Sequence, residues 1–172
     1  MRTLQHPTLC PIARSTDLMG DRWSLLVIRE LFMGLSRFHD LQAQTGATPQ
    51  LLTARLKRLQ ADGLVERHAY SQRPPRYEYR LTEMGRDLMP VVLALRAWGE
   101  KWCKTPDEGL AVRMFHRACG TELGLDYQCP KCAITVPWTQ TQPWPNPAYI
   151  EERQRRAADF GRRPETEAGP GA

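Results

Sequence analysis

Thr48 to Arg80, TPQLLTARLKRLQADGLVERHAYSQRPPRYEYR, is the stretch that decides the fold. It reads as one helix followed by one hairpin. Thr48 is an N-cap, Pro49 takes the first helical position, where its missing N–H removes no hydrogen bond, and Gly63 closes the far end. Between these marks Leu52, Leu56, Leu59 and, past the turn, Leu64 recur at helical spacing and form an apolar stripe. That leaves Gln50, Thr53, Ala54, Lys57, Arg58 and Ala61 on an outer face that is small and basic. LVERHAY and RYEYRL then alternate as strands do. SQRPPR between them is a turn-forming tip, where prolines restrict the chain and arginines project.

Charge is concentrated in this window. It holds seven Lys or Arg (55, 57, 58, 67, 73, 76, 80) against three acids (62, 66, 78), a net of +4, whereas the whole 172-residue chain carries +5. Such a concentration suits a surface that displaces counterions from phosphates. A solvated helix face beside an ordinary hairpin is equally consistent with composition alone. An amphipathic helix joined to an arginine-tipped hairpin is nonetheless how a winged helix-turn-helix meets DNA, with the helix in the major groove and the wing on the backbone or minor groove.

The upstream segments fit that order. CPIARSTDLMG is a short helix opened by Pro11 and closed by Gly20, with Cys10 at its N-terminus. There the helix dipole can activate a thiol, so Cys10 is a candidate redox or electrophile sensor; a small apolar filler is the competing reading. Asp21 caps DRWSLLVIRELFMG, apolar on nearly all sides and therefore central. RFHDLQAQTG is a third helix with Phe38 and Leu41 inward, and GATP is the tight turn into the helix that begins at Pro49. His39 stands alone, with no nucleophile or acid pair near it in sequence, which points to a surface or phosphate-backbone role.

Cys10 with Pro11, GDRWSLLVIRELFMG, SRFHDL, LLTARLKRLQADGLVER and PPRYEYRLTEMGRDLMPVVLALRAWG, in that order and spacing, resemble the HxlR-type regulators, bacterial winged-helix transcription factors related to the MarR group. The resemblance runs from Cys10 to about Trp102. It implies a sequence-specific DNA-binding regulator, a homodimer on an inverted-repeat operator, usually a repressor, and in some members a response to oxidants or electrophiles at the cysteine matching Cys10. Carried over where the chemistry matches, Gln50 and Thr53 face base edges and Arg55, Lys57 and Arg58 meet bases or phosphates. Thr48 donates to a phosphate near the helix N-terminus, and Arg73 and Arg76 of the wing reach the minor groove or backbone. Arg55 lies toward the flank of the apolar stripe.

Beyond the hairpin, Leu81, Met84, Leu88, Val91, Leu95, Trp98 and Trp102 step by three and four residues. A seam that regular wants a partner helix, and Pro90 within it predicts a kink or two successive helices. After the TPDEG linker, His116, Cys119, Cys129 and Cys132 form two short ligand pairs, HRAC and CPKC, able to meet tetrahedrally around a structural Zn²⁺. A CPKC redox pair or a remnant knuckle without metal are the alternatives. No acid is placed to act as a general base beside such a metal, so a catalytic zinc is not expected.

The expected architecture is mainly α with a small β-hairpin wing. Residues 10–104 form the winged-helix DNA-binding and dimerisation domain, 112–138 a small cysteine-containing module, and 139–172 a mostly disordered tail with a short helix at most. That tail has five basic and five acidic side chains over 151–172. Five cysteines with no export signal and no long apolar run point to a cytoplasmic protein without a membrane span. The DNA contact itself requires no cofactor, and no catalytic residue is recognisable. A thiol-redox or zinc protein would account only for residues 116–132, and a protein–protein adaptor using the winged helix without DNA would have no DNA affinity for neutralisation of Arg73 and Arg76 to change.

Overall fold

The computed structural model describes residues 8–162, in two compact units that divide between Val92 and Leu93. The first unit begins with α1 (Pro11–Met19), α2 (Arg22–Phe32), α3 (Phe38–Thr45) and α4 (Pro49–Ala61). It continues through an antiparallel hairpin, β1 (Val65–Gln72) and β2 (Pro75–Leu81), and the single turn α5 (Glu83–Arg86). α6 (Met89–Trp102) starts here and runs on into the second unit.

Helix ends fall where side chains can satisfy the orphan amides. The Asp21 carboxylate accepts from the Trp23 and Ser24 amides at 3.1 and 3.0 Å, and Thr48 Oγ1 accepts from Leu51 N at 3.3 Å. Gly63, at φ 78°, turns the chain from α4 into the hairpin in a conformation that a Cβ would oppose. The core is built from Val27, Ile28 and Leu31 of α2, Leu41 of α3, the α4 stripe Leu52, Leu56 and Leu59, and Leu64, Val65 and Leu81 at the base of the hairpin. Each fully buried leucine contributes about 2 kcal/mol. The α4 stripe is therefore what fixes which face of that helix is left outside.

The hairpin register runs from Val65 opposite Leu81 to Gln72 opposite Pro75, with a bulge between Ala69 and Ser71. Strand pairing extends almost to the tip, leaving only Arg73 and Pro74 between the strands. Pro90 sits near the start of α6, after the break at Asp87 and Leu88, so the expected two successive helices are found.

The second unit pairs β3 (Val112–His116) with β4 (Glu122–Leu123) on one side and β7 (Thr141–Pro145) on the other. β5 (Gln128–Cys129) and β6 (Ile134–Thr135) form a separate small hairpin, and α7 (Pro147–Arg162) follows. The sequence expectation of a largely disordered segment from 139 is corrected here. β7 completes a sheet with β3, and α7 is helical through Arg162, in a stretch whose mixed charge and low hydropathy hide the helical signal. Residues 163–172 lie outside the described residues. Arg96 of α6 approaches Tyr127 Oη at 3.4 Å and donates to the Val112 carbonyl, which ties the second half of α6 to this unit.

Candidate nucleic-acid interface and metal-ligand cluster

Burial of Leu52, Leu56 and Leu59 turns Thr48, Gln50, Thr53 and Lys57 outward, and all four are exposed. Thr48 caps α4 with a lone pair on its hydroxyl, so the cap does not use its O–H proton. At the wing tip Arg73 and Arg76 are exposed. The wing is stiffened along its length. Arg67 lies over the Tyr77 ring at 4.1 Å, and Arg37, from the segment before α3, lies over Tyr70 at 5.2 Å. The Arg37 backbone forms an isolated antiparallel β-bridge with Glu78, and Tyr79 N donates to Ser36 O at 2.7 Å. Sequence reading did not single out Arg37; a strand-like residue just ahead of a helix gives too short a signal.

Two of the expected contact residues are engaged inside the protein. Arg55 is half-buried, with Nε 3.3 Å from Asp21 Oδ1 and Nη1 3.4 Å from Oδ2. Burial works against the charge of Asp21, but Ser24, which donates from both its hydroxyl (2.5 Å) and its amide, the Arg55 charge and the Trp23 amide outweigh it, holding that carboxyl below the usual aspartate range. Arg58 donates to the Asp17 carbonyl at the end of α1 and lies 3.7 Å from Asp62. Both arginines thus connect α4 to the helices before it. His39 is surface-exposed, with Nδ1 3.7 Å from Asp40.

Cys10 is exposed at the N-cap of α1, its amide donating to Thr8 Oγ1 at 3.1 Å and its carbonyl accepting from Arg14 N. In the second unit His116, Cys119, Cys129 and Cys132 converge, each offering one ligand atom, all within 4.8 Å of one another. Cys119 Sγ is 3.3 Å from His116 Nδ1 and 3.6 Å from Cys129 Sγ. Hydrogen bonds from Thr121, assisted by the neighbouring thiols, hold the Cys119 thiol at about 6, while hydrogen bonds to Cys119 and Cys129 keep the proton on Cys132 and push it up to about 11. This cluster has the donor chemistry to bind a metal ion. Among the described residues no helix is long and apolar enough to cross a membrane.

A four-helix core that exposes one face of its last helix, followed by an arginine-tipped hairpin, defines a winged helix-turn-helix DNA-binding transcriptional regulator. The chain belongs to the HxlR-like helix-turn-helix family, which matches residues 18–107. It is 36% identical over 138 residues to an HTH-type transcriptional regulator of Mycobacterium tuberculosis, covering 80% of this chain and 87% of that one. It is 37% identical over 105 residues to the Bacillus subtilis HTH-type regulator YdeP, covering 60% and 82%. Among solved structures, that of PA1607, a candidate transcription factor, aligns with a TM-score of 0.62 at 34% identity over 78% of this chain and 94% of the other. The redox regulator HypR in its oxidised form aligns at 0.52 and 37% identity over 56% and 100%.

Proposed function

We propose that the protein is a dimeric repressor of the bacterial cytoplasm that binds an inverted-repeat operator in double-stranded DNA. In each protomer α4 enters the major groove and the β1–β2 wing lies on the adjacent backbone or minor groove. The observation that carries this reading is the division of α4 into a leucine face sealed in the core and an outer face on which Thr48, Gln50, Thr53 and Lys57 are all exposed. Gln50 and Thr53 read base edges, and Lys57, Thr48, Arg73 and Arg76 hold phosphates or the minor groove. Arg55 and Arg58 set the angle of α4 through Asp21 and Asp17. Dimerisation is supported by the run of exposed apolar side chains on α6. No cofactor enters the DNA contact, and a structural Zn²⁺ in the second unit is compatible with it. Effector sensing falls to Cys10, exposed at a helix N-terminus in a chain whose solved neighbours include a protein named as a redox regulator.

The test is to capture genomic fragments from the source organism with the reduced, purified protein and sequence what is retained. A few intergenic fragments sharing an inverted repeat are expected; retention indifferent to sequence would remove the regulator reading. The assignment of Arg55 is checked separately. Arg55→Gln should weaken operator binding by about tenfold through misplacement of α4, while the slope of log affinity against log salt stays within about 0.3 of the parent. A slope lower by roughly 0.9 per protomer would instead make Arg55 a phosphate contact.

A further inference from the structure

The two ligand pairs of the second unit share one backbone design. At His116–Gly120 the amides of Cys119 and Gly120 both donate to the His116 carbonyl, at 3.3 and 2.8 Å, and Gly120 takes φ 67°. At Cys129–Ala133 the Ala133 amide donates to the Cys129 carbonyl at 2.8 Å, and Ala133 takes φ 54°. Each turn therefore has a ligand, two spacer residues, a second ligand and a left-handed residue. Glycine adopts that last conformation freely, whereas alanine is held there only when its surroundings over-determine it. The spacers bring a cation to each turn, Arg117 in one and Lys131 in the other. Arg117 is anchored by donating to the Thr141 carbonyl at 2.8 Å.

The spacing of the ligand atoms is that of a coordination shell. Around a tetrahedral zinc with Zn–S of about 2.3 Å and Zn–N of about 2.0 Å, neighbouring ligands lie about 3.8 Å apart for two sulfurs and about 3.5 Å for sulfur and nitrogen. Here Cys119 Sγ is 3.6 Å from Cys129 Sγ and 3.3 Å from His116 Nδ1, and no pair in the set exceeds 4.8 Å. A disulfide would close one S–S pair to about 2.05 Å and take two sulfurs out of the set.

We propose that His116, Cys119, Cys129 and Cys132 hold one Zn²⁺ in a closed tetrahedral shell, and that residues 112–145 fold around it. The unit has little else to fold on. Its buried apolar side chains are Leu123, Tyr127, Cys129 and Val136, and three of its strands are two residues long. Segments this small usually need a staple. Three thiolates and an imidazole are soft to borderline donors that pass over Mg²⁺ and Ca²⁺, and four ligands leave no position for a substrate. Three thiolates around Zn²⁺ also leave a net charge of −1, which Arg117 and Lys131 are placed to offset.

The test uses the full chain, purified with reduced thiols, saturated with zinc, desalted and assayed for metal. About one zinc per chain is expected. Replacing zinc with cobalt should give tetrahedral visible bands and a thiolate charge-transfer band in the near ultraviolet. Cys132→Ser is the informative variant, because Cys132 is exposed and its loss removes a ligand with little packing; Cys129 is buried, so its variant could unfold for other reasons. Cys132→Ser should weaken zinc binding beyond the roughly 10–100-fold that outer-shell changes produce, and should reduce the cobalt charge-transfer band. Stripping the metal should abolish amide protection across 112–145 and leave that of α2 to β2 in place. Fully reduced chain that takes up no zinc, a Cys132→Ser variant that holds it as tightly as the parent, or unchanged protection after stripping would overturn the proposal. Operator affinity measured on the same samples reports on the DNA reading independently.

Discussion

Arg73→Ala combined with Arg76→Ala is expected to lower affinity for every DNA sequence alike, by about a thousandfold at 0.15 M salt across a dimer. Each phosphate contact releases a counterion, so its contribution at that salt is roughly fivefold, and two arginines on each of two protomers give four such contacts. The slope of log affinity against log salt should fall by about 3.6. The ranking of operator variants should be unchanged, since arginines on a wing tip that hold the backbone carry no base code. The protomer should be as stable as the parent within about 0.5 kcal/mol, because both side chains are exposed and neither lies in the core. Titrations over a salt series by fluorescence anisotropy make the measurement. A slope that does not move would show that the wing is not on the DNA. A relaxed sequence preference with a small slope change would place the arginines in a narrow minor groove, reading its shape. Gln50→Ala makes the contrast. It should leave the slope in place and cost about 1–3 kcal/mol at one operator position only.

The helices of the first unit were legible because their signals are local. Asp21, Thr48 and Thr82 cap where short polar side chains should, Pro11 and Pro49 open helices, and Gly46 and Gly63 take the left-handed positions that end them. The outer face of α4 followed from the leucine stripe alone. Arg55 and Arg58 show where that inference stops. Spacing places Arg55 at the edge of the face and Arg58 on it, yet what such a side chain engages depends on partners 34 and 41 residues away, Asp21 and the Asp17 carbonyl. Nothing in periodicity reports a contact at that separation. The Cys and His pairs were visible as spacing, but their convergence rests on Gly120 and Ala133 adopting left-handed backbone, and an alanine gives no notice of that. The end of the second unit was hard to read because β7 contains two prolines in five residues and α7 is rich in mixed charge at low mean hydropathy. β7 is an edge strand on β3, which is where proline is tolerated.

Leu95→Glu or Trp98→Glu should convert the protein to a monomer at micromolar concentration and weaken operator binding by a thousandfold or more, on the order of the gap between one half-site and two. Along α6, Val91, Leu95, Trp98 and Trp102 are 49, 50, 57 and 64% exposed at spacings of four, three and four, while Leu88 and Val92 on the other side pack into the first core. Covering that stripe on two copies would remove roughly 900 Å² of apolar surface from water. Stable interfaces bury about 1,200–2,000 Å², so more surface must join the stripe. At about 25 cal/mol per Å² the stripe alone gives a gross gain of roughly 20 kcal/mol, above most estimates of the association cost. A carboxylate at position 95 or 98 would be buried against its own copy, and like charges in that setting have no partner. The protomer should keep its fold, because these side chains are outside both cores. Sedimentation velocity gives the oligomeric state, and hydrogen exchange across α2 to β2 verifies that the fold is intact. A variant that remains dimeric would move the interface off α6. A monomer that still binds the full operator with parental affinity would mean that the two half-sites are not read by a preassembled pair.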